Sequence, residues 1–183
     1  MIESLKLKKS DLFWEPFAGS GVVSLFAAHH VQHVFATDLN PHAIENTKQN
    51  FEKYGLKDKL SIFQSDVFPP VEQSFDVIAL NPPYTDKEAE DNIEIMAWDH
   101  EHKALKKFFS GVRNYLKANG SIYISWPDYS GFQMLEHLMQ KHGFQHEVVS
   151  EVSEPLDKKN PASSQSLVYR VYKAHLPIEK SLD

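Results

Sequence analysis

Asn81-Pro82-Pro83-Tyr84 is the stretch of this chain best equipped for chemistry. It follows Phe75–Leu80, a short apolar run that reads as a buried strand. Two prolines cannot continue a hydrogen-bonded ladder, so the strand stops there. The residue before a proline is pushed out of the α region. Asn81 is therefore held extended at a strand end, with an amide at its tip and an aromatic ring three residues on. Hydrogen-bonding groups and a stacking face then lie at the mouth of a sheet, where open α/β folds bind ligands. Taken alone, the four residues are equally readable as a turn that ends a strand. The elements around them decide.

Those elements alternate. Leu12–Phe17 reads as a first strand and runs into Ala18-Gly19-Ser20-Gly21, followed by a helical stretch from Val22 to His30. Val34–Thr37 is a second strand ending at Asp38. Asn40 then caps a helix with Pro41 in its first turn, and Gly55 ends it. Leu60–Phe63 is a third strand, closing on Gln64-Ser65-Asp66, and Phe75–Leu80 is the fourth. Leu105, Phe108, Phe109, Val112 and Leu116 recur at helical spacing up to a stop at Asn119-Gly120, and Ser121–Trp126 is a fifth strand. Phe132, Leu135, Leu138 and Met139 mark one more helix, ended by Gly143. Phe144–Val152 and Ser166–Tyr172 are the last strands, an antiparallel pair joined by the polar stretch Ser153–Gln165. Strand–helix alternation with short joints implies a mostly parallel sheet of seven strands with helices on both faces, closed by a terminal antiparallel strand. One domain over 1–183 is expected, with its core at 11–174. In such a sheet the loops after strands one to five gather on one edge. Glu15–Gly21, Asp38, Asp66 and Asn81–Tyr84 then share a rim, joined by Ser153–Gln165 if the sixth strand is parallel.

Composition narrows the function classes. There are no cysteines, which excludes disulfides, thiolate metal sites and a cysteine nucleophile. No run of about 18 apolar residues offers a membrane span. Residues 1–10 lack the apolar stretch of a secretory signal, so a cytoplasmic location is expected. The net charge is −6. Asp86, Glu88, Glu90, Asp91, Glu94, Asp99 and Glu101 against Lys87 concentrate that charge in one segment directly after Tyr84. Such surroundings repel phosphate backbones and tolerate neutral or cationic substrates. His29, His30 and His33, or His100 with His102, can be read as metal ligands, but no partner set is visible and no metal is assigned. Lys158 and Lys159 on the last rim loop are read as solvated.

Gly19-Ser20-Gly21 lets the backbone turn tightly and approach a ligand. Asp38, at the next strand end, can accept both hydroxyls of a ribose. Together they favour a nucleoside ligand, of which two fit. A nicotinamide dinucleotide expects a third glycine where Ser24 stands. S-adenosylmethionine has ribose and adenine, no phosphate, and a sulfonium cation. For it, Glu15 is a candidate for the ammonium group, Asp66 for the adenine amine and Phe68 for packing on the purine.

From Leu12 to Tyr172 the chain resembles class I S-adenosylmethionine-dependent methyltransferases with a Rossmann-like fold. The likeness rests on Glu15–Gly21, Ala36–Pro41, Ser65–Pro70 and Phe75–Tyr84. Their order and spacing match the branch carrying Asn-Pro-Pro-Tyr, whose members methylate planar nitrogens. Asp66–Tyr84 most resembles release-factor glutamine methyltransferases and the small-domain methyltransferases beside them, whereas Pro16–Gly21 leans toward enzymes acting on adenine or guanine in nucleic acid. The resemblance implies S-adenosyl-L-methionine bound by Glu15, Phe17, Gly19, Gly21, Asp38, Leu39, Asp66, Val67 and Asn81. It implies that Asn81 and the Pro82 carbonyl hold the acceptor NH2, with Pro83 and Tyr84 binding substrate. Protein glutamine is the favoured acceptor, with adenine or guanine in RNA or DNA as the alternative; a further alternative is a methyltransferase-fold subunit of weak activity that works through a partner. The sequence departs from the pattern in two ways. Phe17 stands where the loop usually has its first glycine, and about a dozen residues precede the first strand. The site is therefore expected to be open, or completed by a partner subunit or a second copy.

Overall fold

A computed structural model of the chain describes residues 1–90, 94, 97–155 and 166–177. Lys158, Lys159 and Asp91 lie outside them. In chain order the elements are β1 (Leu12–Pro16), α1 (Val22–Ala28), β2 (His33–Asp38), α2 (Pro41–Lys53), β3 (Leu60–Gln64), β4 (Phe75–Leu80), α3 (Lys103–Gly111), β5 (Leu116–Pro127), α4 (Phe132–Lys141), β6 (Gln145–Pro155) and β7 (Ser166–His175). The seven strands form one sheet in the order β3-β2-β1-β4-β5-β7-β6. β1 to β5 pair in parallel, and β7 runs antiparallel to both β5 and β6. The order of winding reverses between β1 and β4, which makes their C-terminal ends the switch point where such sheets bind ligands.

Strand periodicity sorts neighbouring residues to opposite faces. Trp14, Ile78, Ile122 and Ile124 join Leu105, Phe108 and Phe109 of α3 and Leu135 of α4 in one core. Phe13, Val77, Ala79 and Tyr123 join Val23 and Ala27 of α1 and Phe51 of α2 in the other, with Met1, Ile2 and Leu7 packed against it. Local signals start the helices. The Asn40 side chain accepts the His42 N–H at 2.9 Å, and Pro41 occupies the first turn of α2.

The helical periodicity through Leu116 is overridden. α3 ends at Gly111, a 3-10 turn covers Val112–Tyr115, and β5 begins at Leu116. Leu116 pairs with Phe75 and Ser121 with Val77, so the residues between them bulge. Gly120 lies inside the strand instead of stopping a helix; a Cβ there would come within 3.0 Å of the carbonyl oxygens of Phe75 and Lys117. Lys117 reaches the Asp76 carboxylate at 2.7 Å, and the same oxygen accepts the Leu12 N–H at 2.8 Å. Pairing with β4 and this anchor outweigh the helical pattern.

No helix among the described residues is long and apolar enough to cross a membrane.

Candidate active site

The first loop is built by backbone geometry. After Pro16 the chain turns at Phe17, whose φ of 58° lies in the left-handed region. This is where a glycine is free and a phenylalanine is strained by about 1–2 kcal/mol, so the departure noted in the sequence is a side chain added to a glycine-type position. The Ala18 N–H donates to the Thr37 carbonyl at 3.0 Å, tying the loop to β2. Gly21 also has positive φ, and a Cβ there would lie 2.5 Å from Thr47 Cγ2 on α2. Glycine is required at this point by close approach. The Gly19 N–H donates to Asp38 Oδ2 at 2.8 Å, and the Asn40 N–H donates to Asp38 Oδ1 at 2.8 Å.

A buried carboxyl group, Glu15, and a half-buried one, Asp38, stand below this loop. Glu15 is 3% exposed and accepts the Ser24 N–H at 2.7 Å. Burial pushes its pKa up to about 8, the bond from Ser24 only partly offsets that, and the Asp38 charge adds to the rise. Burial also raises Asp38, against the N–H groups of Asn40, Gly19 and Leu39, which lower it. A second strained residue follows β3: Val67 is buried at φ 77°. Its carbonyl accepts the Thr37 hydroxyl at 2.6 Å, and Thr37 Oγ1 in turn accepts the Trp14 indole N–H at 3.1 Å. That buried chain holds a β-branched residue where it is rarely found.

These features open onto one cleft of about 790 Å³. Glu15, Phe17, Gly19, Asp38, Leu39, Asp66, Val67, Asn81 and Pro83 line it. Asn81 is exposed at its rim, directly after the buried end of β4. Gly21, Pro82 and Tyr84 do not line it: Gly21 packs on Thr47, Pro82 is buried, and Tyr84 is turned aside. The Tyr84 ring stands edge-on to Trp126 at 5.6 Å and near Tyr169 at 6.3 Å, and its carbonyl accepts the Ser130 hydroxyl at 2.7 Å. Burial pushes its hydroxyl pKa up to about 12. Phe68 is also withdrawn, stacked on Tyr115 at 5.0 Å and packed near Trp14, so it belongs to the core and not to a purine site. Asp66 is exposed and forms an ion pair with Lys107 of α3.

The remaining walls come from residues to which the sequence reading gave no role. Met1–Ser4 line one side, with Ile2–Ser4 in a 3-10 turn. Trp98, Asp99, His100, Lys103 and Ala104 line another. The loop after Tyr84 is pinned there by the Thr85 N–H to the Ala97 carbonyl at 3.1 Å and the Asp99 N–H to the Thr85 carbonyl at 2.8 Å. Lys87 sits over the Trp98 ring at 3.6 Å. Asp99 is buried and caps α3, accepting the N–H groups of Ala104 and Leu105 at 3.0 and 3.2 Å. An aspartate four residues before the helix was the signal available for that wall; Met1 and Ile2 gave only two apolar residues before a lysine run. Among the described residues no three histidine or carboxylate side chains converge as a metal site.

The donor set fits S-adenosylmethionine. Asp38 keeps acceptor capacity beyond its two loop N–H groups, which suits a diol. Glu15 is a buried acid with no cation opposite it among the interactions that set its pKa, which suits an ammonium. The cleft is roomy enough for a nucleoside and an acceptor side chain.

Known proteins resemble this chain in sequence and fold. A protein of Methanocaldococcus jannaschii, provisionally named a protein N5-glutamine methyltransferase, is 27% identical over 83% of this chain and 79% of its own length. A ribosomal protein uL3 glutamine methyltransferase of Neisseria meningitidis is 32% identical over 51% of this chain, which spans 31% of that relative. The crystal structure of a precorrin-6y C5,15-methyltransferase from Geobacter metallireducens superposes with a TM-score of 0.69 over 96% of this chain and 85% of its own, at 17% identity, and so shares the fold. The sequence profile of the methyltransferase small domain matches residues 17–154, from the left-handed turn after β1 to the end of β6. The chain belongs to the methyltransferase small domain family, and it is an S-adenosylmethionine-dependent methyltransferase.

Proposed function

We propose that this methyltransferase modifies the side-chain amide nitrogen of glutamine in a protein. The observation that carries the reading is Asn81, exposed on the rim of the cleft that also holds Glu15 and Asp38. The names of the archaeal and neisserial relatives support it. So does charge: Glu3, Asp38 and Asp99, with Asp66 paired to Lys107, line the cleft against Lys103, an arrangement that opposes a polyphosphate backbone and accepts a neutral amide.

The bound cofactor supplies an electrophilic methyl group. Asp38 would hold the ribose hydroxyls, Glu15 the ammonium and Asp66 the adenine amine, and Phe17, Leu39 and Val67 line the same cleft. The chain's remaining task is to present a poor nucleophile. An amide nitrogen has a delocalised lone pair, so it must be fixed in orientation and its electron density raised. The Asn81 side-chain oxygen at the rim would accept one of its N–H bonds, help aim the lone pair at the methyl carbon and stabilise the positive charge that develops on nitrogen. Pro82, whose carbonyl the resemblance assigns to the second N–H, is buried and is not among the residues lining the cleft. Transfer would form a carbon–nitrogen bond as the cofactor's carbon–sulfur bond breaks, and one amide proton would leave to solvent. No nucleophile on the protein is needed.

The test is transfer of labelled methyl groups into protein, RNA and DNA pools from an extract. Label in protein, recovered as N5-methylglutamine, is expected. Label confined to nucleic acid refutes the reading.

A further inference from the structure

The cleft does not end at Asn81 and Pro83. Ser150 and Val152 of β6 also line it, as do Met1–Ser4. β6 is the outer strand, three spacings from β4 in the order β4-β5-β7-β6. At about 4.8 Å per spacing that is about 14 Å.

A bulge aims these two side chains into the cleft. Val148 lies opposite Tyr172, but Ser150 lies opposite Val171, so Val149 is the extra residue. Tyr172 belongs to the core beneath α3 and α4, and Val171 to the core against which Met1 and Ile2 pack. In an unbroken ladder Ser150 would oppose Arg170 and face α4. The added residue turns Ser150 and Val152 to the other face. By register, Ser125 and Pro127 of β5, with Val171 and Tyr169 of β7, share that face. All four are uncharged, but they pack beneath the cleft and beside Tyr84, and of this stretch only Ser150 and Val152 line the cleft itself.

We propose that this arm of the cleft binds an extended segment of the protein acceptor on one side of the methylated glutamine, with Ser150 and Val152 as specificity-determining residues. The inference rests on the protein-glutamine reading above. An extended chain rises about 3.4 Å per residue, so the arm spans about four residues. The uncharged Ser150 and Val152 suit an uncharged peptide, and Glu3 in the same cleft disfavours a phosphate backbone. Val152 is 50% exposed, an apolar contact waiting for a partner chain. Val148 on the same strand is 45% exposed but faces the opposite side, which makes it the matched control.

The experiment measures KM and kcat for acetylated glycine–alanine peptides with one glutamine and one to six further residues on either side. For the wild type, KM falls about tenfold as one flank grows to about four residues, then levels. Val152→Glu raises KM of the long peptides to that of the short ones and leaves cofactor affinity and kcat unchanged; Val148→Glu changes neither. Should Val152→Glu fail to fold, Val152→Cys alkylated in the folded protein with a bulky maleimide gives the same readout, since the chain has no other cysteine. A KM independent of flank length, or equal effects at 148 and 152, overturns the arm and leaves glutamine methylation standing. Methylation of RNA or DNA in place of any peptide overturns the glutamine reading and the arm with it.

Discussion

The proposed placement of Glu15 against the cofactor's ammonium predicts a pH dependence of binding that follows from its surroundings. Burial, with Asp38 nearby, pushes its pKa up to about 8 from an ordinary 4.5. At pH 7 a group with that pKa is about 90% protonated, and ionising it costs about 1.4 kcal/mol. A cationic ammonium favours the ionised form. Affinity at pH 7 is therefore about tenfold below its plateau, it rises by about one log unit per pH unit up to about pH 8, and binding at pH 7 releases about 0.9 proton. Calorimetry with S-adenosylhomocysteine, which shares the amino-acid end, in buffers of different ionisation enthalpy reads both quantities. Glu15→Gln removes the titration, so its affinity is flat across that range and no proton is released. Stability of the ligand-free protein has the opposite sense. The folded pKa is raised, so the contribution is fully present below 4.5 and is lost as pH rises through about 8. Zero proton release in the wild type, or an unchanged pH slope in Glu15→Gln, refutes the placement of Glu15 against the ammonium.

Three further substitutions probe the frame of the site. Gly21→Ala puts a Cβ 2.5 Å from Thr47 Cγ2 at a positive φ; a loss of about 2–3 kcal/mol in urea unfolding is expected. Thr37→Val leaves the Val67 carbonyl and the Trp14 indole N–H without their buried partner; the expected loss is about 2–4 kcal/mol, with weaker cofactor binding because Val67 lines the cleft. Asp99→Ala removes the cap from α3; thermal unfolding should report a loss of about 1–2 kcal/mol.

The sheet was legible because β1 to β4 are short apolar runs separated by local punctuation, and Asn40 and Gly21 act in the structure through the caps and turns their chemistry suggests. The convergence of Glu15, Asp38, Asp66 and Asn81 on one cleft follows from topology alone, since loops after parallel strands share an edge. What stayed hidden depends on contacts distant in sequence. The start of β5 is set by pairing with Phe75 across a bulge, which local periodicity cannot report. Tyr84 reads as a free stacking face until Trp126 and Tyr169 are placed beside it. Phe68 is drawn into the core by Tyr115. The bulge at Val149 has no glycine or proline to announce it, yet it decides which face of β6 meets the cleft.

The central claim is that Asn81 holds a planar amide for methylation and takes little part in holding the cofactor. Single-turnover transfer from labelled S-adenosylmethionine to protein, measured beside cofactor affinity in wild type and Asn81→Ala, tests it most directly. A drop of at least about 100-fold in transfer is predicted, with cofactor Kd within about twofold. A variant that transfers methyl groups at the wild-type rate, or one whose transfer falls only as far as its cofactor affinity does, would contradict the claim.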